Sequence, residues 1–417
     1  MSKSGNMEIV VINDNATFNG GSSNVALQSA IALAERGLPV TLFSAVGPVA
    51  PELQNVAHLN VVCTHQREIA DDPNRFRAFI QGVWNGPAAM TLAKLLATKD
   101  PTRTIVHAHV WMRALSPAVL AIALDRGFRV TLTAHDFFAV CPSGGFFVHD
   151  RKQICQRRPL SASCLVCNCD RRAYTHKLWR FARTALQNGW FKVTSRIHHY
   201  IGVSQFSIDI IKPYLPSGIP VTIVRNPVNC SDAGPAPVGK NHPFLFVGRF
   251  SPEKGADVFA AAASRTNVPA IFVGAGELAS TLRQRCLHGS FPGWLPQRET
   301  TGALRQARAL VFPSLWLETL GLSAIEAMAN GVPVIVSDGC AASAFVKNEV
   351  SGLHFQSGSV ESLVKQIRRL SDRTFAEYLG RNAYDEYWKD PWTLESHTNE
   401  LLSVYEQILR LAAVENG

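Results

Sequence analysis

Short apolar runs recur along the whole chain, and they alternate with stretches of helical periodicity. The run at 8–13 is rich in Ile and Val, a helical stretch follows at 25–36, and a second apolar run lies at 39–43. Uninterrupted runs of this length are typical of parallel strands that are buried on both faces. The alternation therefore predicts β-α-β units and an α/β fold with parallel sheets.

The alternation occurs on both sides of a segment rich in Pro, Gly and Asn at 229–243, which we interpret as a linker. Further strands are predicted at 104–109, 129–136, 200–204, 221–224, 244–247 and 270–273. Two Rossmann-like domains are therefore expected, an N-terminal one over 1–228 and a C-terminal one over 244–391.

Length and composition limit the class of protein. A chain of 417 residues, 47% of them hydrophobic, can bury the cores of two or three domains. It has no apolar run long enough to span a bilayer, and its start lacks the apolar core of a secretory signal, so a cytoplasmic location is expected. The net charge of +9 favours anionic partners such as nucleotide or lipid phosphates. No nucleic-acid motif accompanies that charge, so nucleic acid is not an expected partner.

Two glycine-containing loops could hold phosphate. Gly20 and Gly21 follow the first strand and would let a diphosphate or an acceptor approach the backbone. In the second half, Gly248 and Arg249 end a strand and Lys254 follows five residues later. Arginine can place two N–H groups on phosphate oxygens, and lysine adds a compact charge.

A third glycine loop supports a competing function. Gly274, Gly276 and Ala279 fit the G-x-G-x-x-A pattern of dinucleotide-binding loops. An NAD(P)-dependent oxidoreductase is therefore one alternative, although a single match of this kind is a weak signal.

The stretch at 313–326 carries two carboxylates. Glu318 lies in a predicted loop, and Glu326 lies eight positions later within a predicted helix over 323–330. Leu320 and Gly321 lie where that helix begins, and the unpaired N–H groups of a helix start suit a phosphate. The two carboxylates could accept hydrogen bonds from a sugar and from a ribose on either side of a diphosphate.

This stretch resembles a known family. Glu318 to Glu326, with Gly321 between them, is similar to the E-x7-E signature of retaining GT-B glycosyltransferases of family four, also described as glycosyl transferases group 1. Arg249 and Lys254 resemble that family's G-R-x4-K-G element. The resemblance implies two Rossmann-like domains with parallel sheets that face a central cleft, and a C-terminal helix over 392–417 that crosses back to complete the first domain.

The resemblance also implies an activity. The chain would transfer a sugar from a nucleotide-diphospho-sugar to a glycan or lipid-linked acceptor, with retention, in polysaccharide, lipopolysaccharide or glycolipid biosynthesis. No metal or other cofactor would be required for catalysis. The residues that the resemblance assigns to catalysis are His135, Glu318, Arg249 and Lys254. Those assigned to the donor and its nucleotide are Gly20, Gly21, Gly248, Arg249, Lys254, Gly274, Gly276, Trp294, Leu295, Leu320, Gly321 and Glu326.

Two histidines end predicted strands. His109 and His135 would lie at the carboxyl edge of the first sheet, where ligands collect in open parallel sheets. His135 resembles the family histidine that contacts the donor sugar, and Asp136 follows it directly. We expect His109 and Asp136 on the acceptor side.

The segment at 141–170 is unusual because it holds five of the nine cysteines. Cys164 and Cys167 have metal-ligand spacing, and Cys141 and Cys155 could complete four thiolates around a structural zinc ion. Free or buried thiols are the alternative.

The segment at 171–200 contains seven basic residues, no acidic residue and several aromatic ones. This composition suits an anionic membrane surface, which would place the protein at the inner face of the membrane. A solvated helix that packs on the first domain is the alternative. A non-catalytic partner in glycan assembly also stays open.

Overall fold

The computed structural model describes residues 7–415, with side chains described as far as residue 412. Residues 1–6 of the predicted domain 1–228 and residues 416–417 of the predicted helix 392–417 therefore lie outside the described residues. Two wholly parallel sheets form the framework, one from each half of the chain. No helix in the described part of the chain is long and apolar enough to cross a bilayer.

The first sheet is built from seven strands of residues 8–223. They are β1 (Glu8–Asn13), β2 (Val40–Ser44), β3 (Leu59–Cys63), β4 (Thr104–Val110), β5 (Arg129–Ala134), β8 (His199–Gly202) and β9 (Val221–Ile223). Their spatial order is β3-β2-β1-β4-β5-β8-β9. A separate antiparallel hairpin consists of β6 (Phe147–Val148) and β7 (Gln153–Ile154).

The helices that accompany this sheet lie mostly between its strands. They are α1 (Gly21–Glu35), α2 (Arg75–Val83), α3 (Gly86–Leu96), α4 (Ala118–Asp125), α5 (Ala162–Leu165), α6 (Tyr174–Ala185), α7 (Val193–Arg196) and α8 (Gln205–Ile211). Helix α1 begins at Gly21, four residues before the predicted start. Ser204 caps α8, because its hydroxyl accepts a hydrogen bond from the N–H of Ser207.

The second sheet has six strands. They are β10 (Phe244–Val247), β11 (Ala270–Val273), β12 (Ser290–Gly293), β13 (Ala309–Phe312), β14 (Val334–Ser337) and β15 (Gly352–Phe355), in the spatial order β12-β11-β10-β13-β14-β15. The helices of this half are α9 (Ala256–Thr266), α10 (Ala279–Arg285), α11 (Gln297–Arg305), α12 (Leu322–Ala329), α13 (Ala342–Phe345), α14 (Val360–Arg369), α15 (Arg373–Lys389) and α16 (Leu394–Glu415).

Buried apolar side chains fill three clusters, two on the faces of the first sheet and one around the second. Helix α16 contributes Leu401 and Tyr405 to a cluster of the first sheet, beside Leu27 of α1. The last helix therefore packs on the first half of the chain. Part of the predicted linker is packed, since Ala236 and Val238 are buried in the cluster around the second sheet.

Candidate active site

An ion pair between two loops of the second half marks the centre of the site. Lys254 ends a short 3₁₀ turn after β10, and its Nζ lies 2.5 Å from Oε1 of Glu318, in the loop after β13. The loops can approach because the residue after Lys254 is glycine. A Cβ atom at Gly255, whose φ is 66°, would lie 1.9 Å from the carbonyl oxygen of Pro313.

Glu318 is held as a carboxylate. Its Oε2 accepts hydrogen bonds from the Ser314 hydroxyl at 3.0 Å and from Nε1 of Trp316 at 3.2 Å. Burial raises the pKa of Glu318, but the charge of Lys254 and the hydrogen bonds from Lys254, Trp316 and Ser314 together lower that pKa below its ordinary value. The side chain therefore stays negative and fixed in direction at neutral pH.

Trp316 is a site residue to which the sequence patterns assign no role. The Lys254 ammonium lies 5.3 Å from the centre of a Trp316 ring, so the indole contacts both members of the ion pair. Trp316 also packs against Gly145 of the first half, where an added Cβ would come within 2.9 Å of the indole. Its position within the 313–326 stretch is the only signal in the sequence that could have found it.

Arg249 lies on the turn that leads from β10 towards Lys254. Its side chain is exposed and makes no ion pair with any residue between 7 and 412. An unpaired guanidinium on the same loop as Lys254 could bind an anion.

The glycines of the competing dinucleotide pattern have a packing role. A Cβ at Gly274 would lie 1.9 Å from the carbonyl oxygen of Gly248, and a Cβ at Gly276 would lie 2.5 Å from that of Phe250. The loops after β10 and β11 thus lie backbone against backbone. This contact accounts for Gly274 and Gly276 without a dinucleotide.

The start of α12 faces the glycine loop of the first half. Gly321, with φ of 100°, precedes the first residue of α12, and Leu320 beside it is buried. An added Cβ at Gly21 would lie 3.3 Å from the side chain of Leu322, whereas a Cβ at Gly20 would meet nothing within 4 Å. The glycine loop of the first half and the start of α12 therefore lie next to each other.

Glu326 lies further along α12. Its carboxylate accepts a hydrogen bond from Nε2 of Gln297 on α11 at 3.1 Å, and burial raises its pKa. Trp294 and Leu295 lie just after β12, with the Trp294 side chain exposed and Leu295 partly buried. Within residues 7–412, neither residue forms a hydrogen bond or a ring contact with Glu326 or with the Lys254–Glu318 pair.

The first half approaches Glu318 at the end of β5. The Thr319 hydroxyl donates a hydrogen bond of 3.0 Å to the carbonyl of His135, and the Ser204 hydroxyl donates one of 2.6 Å to the carbonyl of Thr319. His135 and Ser204 of the first half thus hold Thr319, the residue directly after Glu318, through two hydrogen bonds. Thr319 was not predicted as a site residue, because its partner lies 184 positions away.

The two strand-end histidines contact each other. Nδ1 of His109 lies 2.9 Å from Nε2 of His135. Burial lowers the pKa of His135 to about 3 and lowers that of His109 as well, so both rings are neutral at physiological pH. Nε2 of His109 is buried and has no hydrogen-bond partner among the described residues.

Asp136 lies beside this pair and has a different environment. Its carboxylate accepts a hydrogen bond from the N–H of Phe138 at 3.0 Å. Burial raises the pKa of Asp136 to about 6. A carboxyl group with this pKa is mostly ionised at neutral pH.

The predicted zinc ligands do not converge. Cys164 accepts a hydrogen bond from the buried ammonium of Lys177 at 3.2 Å, and burial raises the pKa of Cys141 to about 11. All nine cysteines are free. Within residues 7–412, no group of three or more His, Cys, Asp or Glu side chains is arranged to hold a metal ion. The four thiols therefore form no ready zinc site here, and metal binding stays a prediction.

Most basic residues of the 171–200 segment are engaged within the protein. Lys177 and Arg183 are buried. The other engaged residues form ion pairs, which are Arg171 with Glu277, Arg180 with Asp170 and Arg196 with Asp125. Only Arg172 and Lys192 are exposed without an ion pair to a described residue. The predicted cationic face for a membrane therefore does not form from this segment as a whole.

Solved structures share the fold over nearly the whole chain. Sucrose-phosphate synthase from Thermosynechococcus elongatus aligns with a TM-score of 0.72 and 18% identity, covering 97% of this chain and 100% of that one. The Anabaena protein HepE, solved in complex with UDP and glucose, aligns with a TM-score of 0.66 and 16% identity, covering 96% and 100%. At these identities the likeness concerns the fold alone.

Three sequence relatives are glycosyltransferases. D-inositol 3-phosphate glycosyltransferase of Rhodococcus erythropolis is 27% identical over 89% of this chain and 84% of its own length. An uncharacterised glycosyltransferase of Methanocaldococcus jannaschii is 30% identical over 39% of this chain and 44% of its own. UDP-Gal:alpha-D-GlcNAc-diphosphoundecaprenol alpha-1,3-galactosyltransferase of Escherichia coli is 27% identical over 44% and 51%. The last two matches thus span about half of those proteins or less.

Family models cover most of the chain. Residues 19–232, just over half of the sequence, match the model described as Glycosyltransferase Family 4. Residues 233–386 match the model described as Glycosyl transferases group 1. Together with the two parallel sheets, these matches establish that the chain belongs to glycosyltransferase family 4 and has the GT-B fold.

Proposed function

We propose that this glycosyltransferase moves a sugar from a nucleotide-diphospho-sugar to a hydroxyl group of a glycan or lipid-linked acceptor, with retention of the anomeric configuration. The observation that carries the proposal is the Lys254–Glu318 ion pair, whose lysine shares a loop with the exposed Arg249. Thr319, the residue after Glu318, is hydrogen-bonded to the His135 carbonyl of the first half. The HepE structure with UDP and glucose supports the donor class. The Escherichia coli relative, whose name specifies a diphosphoundecaprenol acceptor, supports a lipid-linked one.

The second half would stabilise the leaving group. As the bond between the anomeric carbon and the diphosphate oxygen breaks, its electron pair moves onto the diphosphate. Lys254 and Arg249 would then offset the added negative charge, and N–H groups at the start of α12 would add to this effect. Positioned charges in a site that excludes water are the largest catalytic term that we expect here.

The first half would present the acceptor. Its hydroxyl oxygen forms the new bond on the face that the diphosphate leaves, and its proton passes to a departing diphosphate oxygen. Glu318 would orient the donor sugar, and Glu326 would hold the ribose. Because His135 and His109 are neutral, they would act as hydrogen-bonding groups rather than as acids. Asp136 would contact the acceptor side.

We place this reaction in the cytoplasm, at the inner face of the membrane, in the synthesis of polysaccharides, lipopolysaccharides or glycolipids. The alternative of a non-catalytic partner in glycan assembly differs in one measurable respect, since it predicts binding without turnover. An NAD(P)-dependent oxidoreductase has no structural support beyond the glycine pattern that packing already explains.

The test is a screen of nucleotide-diphospho-sugars for hydrolysis and for transfer, read by mass spectrometry. We expect one donor to turn over in the native protein and turnover to be lost in Lys254→Met and Glu318→Gln. Lys347→Met, which removes an exposed lysine paired with Glu386 in the same half of the chain, is the matched control. Nucleotide binding without hydrolysis or transfer under any condition would favour the non-catalytic alternative.

A further inference from the structure

Helix α2 has its apolar side chains on the outside. The helix buries its small residues, Ala78 and Gly82, against the rest of the first half. Its large apolar residues, Phe76, Phe79 and Ile80, are 74%, 54% and 47% exposed. Their i, i+3 and i+4 spacing places them on one face. A helix of a water-soluble surface normally has the opposite arrangement, so this face needs an apolar partner.

The exposed face extends beyond α2. Nε1 of Trp179 on α6 donates a hydrogen bond of 3.2 Å to the carbonyl of Phe79, and the two rings lie 6.1 Å apart. Trp84, directly after α2, packs at 4.7 Å on Phe191. Trp190, the neighbour of Phe191, is 80% exposed. We call Phe76, Phe79, Ile80 and Trp190 the α2 patch.

Basic residues outnumber acidic ones around the α2 patch, where Asp71 and Asp72 are the acidic residues that directly precede α2. Residues 73–99 contain four basic residues and no acidic one, and residues 171–200 contain seven and none. Arg75 is exposed, and its guanidinium donates only to backbone carbonyls, so its charge is not neutralised there. Lys192, next to the Trp190–Phe191 pair, is also exposed. Two of the basic residues at 73–99 are neutralised, Arg77 by Asp72 at 2.7 Å and Lys99 by Glu8 at 3.0 Å.

We propose that the α2 patch docks on a lipid bilayer that contains anionic headgroups. Phe76, Phe79, Ile80 and Trp190 would enter the boundary between headgroups and acyl chains, where aromatic side chains are favoured, and Arg75 and Lys192 would contact lipid phosphates. This surface differs from the predicted 171–200 face, whose cations are mostly engaged within the protein. The proposal rests on exposure and charge alone, so it stands or falls independently of the sugar-transfer chemistry.

A bilayer fits this surface better than a protein partner of one fixed shape. The apolar side chains project from a convex helix, whereas a protein interface of this kind needs a complementary groove. A second copy of the chain is the main competing occupant. It would cover the aromatic residues, but it would bring the same cations against each other and so gain no charge complementarity.

The experiment is co-sedimentation of the full chain with large unilamellar vesicles of phosphatidylcholine, with and without about 30% phosphatidylglycerol. The test variant is Phe76→Ser/Phe79→Ser/Ile80→Ser. The matched control is Leu287→Ser/Tyr378→Ser, which removes apolar side chains that are also exposed but lie in the second half. Thermal melts and hydrolysis of donor in solution report on folding and on the site.

We expect the native chain and the control to bind the anionic vesicles, and the triple variant to bind them about a hundredfold more weakly, because three apolar side chains no longer enter the bilayer. Arg75→Gln/Lys192→Gln should weaken binding to anionic vesicles and should leave the residual binding to phosphatidylcholine unchanged. Equal vesicle binding by the native chain and the triple variant would overturn the proposal. A dimer in sedimentation velocity that the triple variant dissociates would assign the α2 patch to a second copy instead.

Discussion

Replacing Lys254 by Met tests whether the Lys254–Glu318 pair serves the reaction or only the fold. At 2.5 Å the gross attraction between two unit charges is about 7 kcal/mol at an effective dielectric constant of about 20. The two side chains are 19% and 15% exposed, so their desolvation offsets most of this energy. Without the lysine, Glu318 keeps two hydrogen bonds but loses its counter-charge. We therefore expect the free energy of unfolding to fall by about 2–4 kcal/mol.

Glu318→Gln in the same chain should restore most of that stability. A neutral amide needs no counter-charge, and its oxygen can still accept from Ser314 and Trp316. We expect the double variant Lys254→Met/Glu318→Gln to unfold within about 1 kcal/mol of the native protein in urea. Its activity should not recover, because the diphosphate still lacks its cation. Loss of such a charge stabiliser lowers kcat by about 10²–10³-fold.

The pH dependence gives this prediction a second readout. In the native protein the pKa of Glu318 is below its unfolded value, so the stability it contributes is present above the unfolded pKa and is lost as pH falls through the folded pKa. In Lys254→Met, burial remains while the lysine contribution disappears, so the pKa should rise above the unfolded value. That variant should therefore gain stability, relative to the native protein, as the pH is lowered from 7 towards 5.

Urea unfolding at several pH values and steady-state donor turnover on the same samples decide the matter. Lys347→Met should change both quantities little, because its lysine is exposed. If Lys254→Met/Glu318→Gln regained turnover together with stability, the pair would be structural. Our assignment of Lys254 to the leaving diphosphate would then be refuted.

Three further predictions concern other parts of the chain. Burial raises the pKa of Asp136 to about 6, so the contribution of this group to stability should fall as the pH rises from 4 to 7. Asp136→Asn should remove this pH dependence and raise the free energy of unfolding at pH 7 by on the order of 1 kcal/mol, as measured by urea unfolding at several pH values. Gly255→Ala should cost at least about 3 kcal/mol and weaken turnover, whereas Gly218→Ala, also at positive φ but with open space around it, should cost about 1 kcal/mol in urea unfolding. If the cysteine segment binds zinc, elemental analysis should find one ion per chain that is lost in Cys164→Ser/Cys167→Ser and kept in Cys286→Ser; nine freely titrating thiols and no zinc would contradict it.

The fold could be predicted because its signals are local. Short apolar runs identified β1, β2, β10 and β11. The spacing of Glu318 and Glu326, with the residues around them and the G-R-x4-K-G element, carried the resemblance to a GT-B family. Each of these patterns is complete within about ten residues, which is the range over which backbone periodicity and glycine loops determine structure. Residues 44–103 carry weaker periodicity, and the sequence yielded no prediction of β3, α2 or α3 there.

The parts of the site that were missed depend on contacts between distant residues. Nothing near Thr319 indicates that its hydroxyl meets the His135 carbonyl, and nothing near Trp316 indicates that its indole meets Gly145. The segment at 171–200 shows the converse error. Composition indicated a basic face that suits an anionic membrane surface, but burial of Lys177 and Arg183 depends on partners from other segments, Cys164 and the carbonyl of Met112.

The cysteine-containing insertion explains why residues of both halves meet at this site. Phe147 of its hairpin is 1% exposed within the cluster of the second sheet, and Lys152 beside it pairs with Asp257 of α9 at 2.7 Å. An insertion of the first half thus contributes to the core of the second. Withdrawing one phenyl ring from that core would cost about 2–3 kcal/mol, roughly the energy of a modest ligand contact. The insertion, together with the Thr319 hydrogen bonds, therefore holds Lys254 and Glu318 next to the first half, to which our proposal assigns the acceptor.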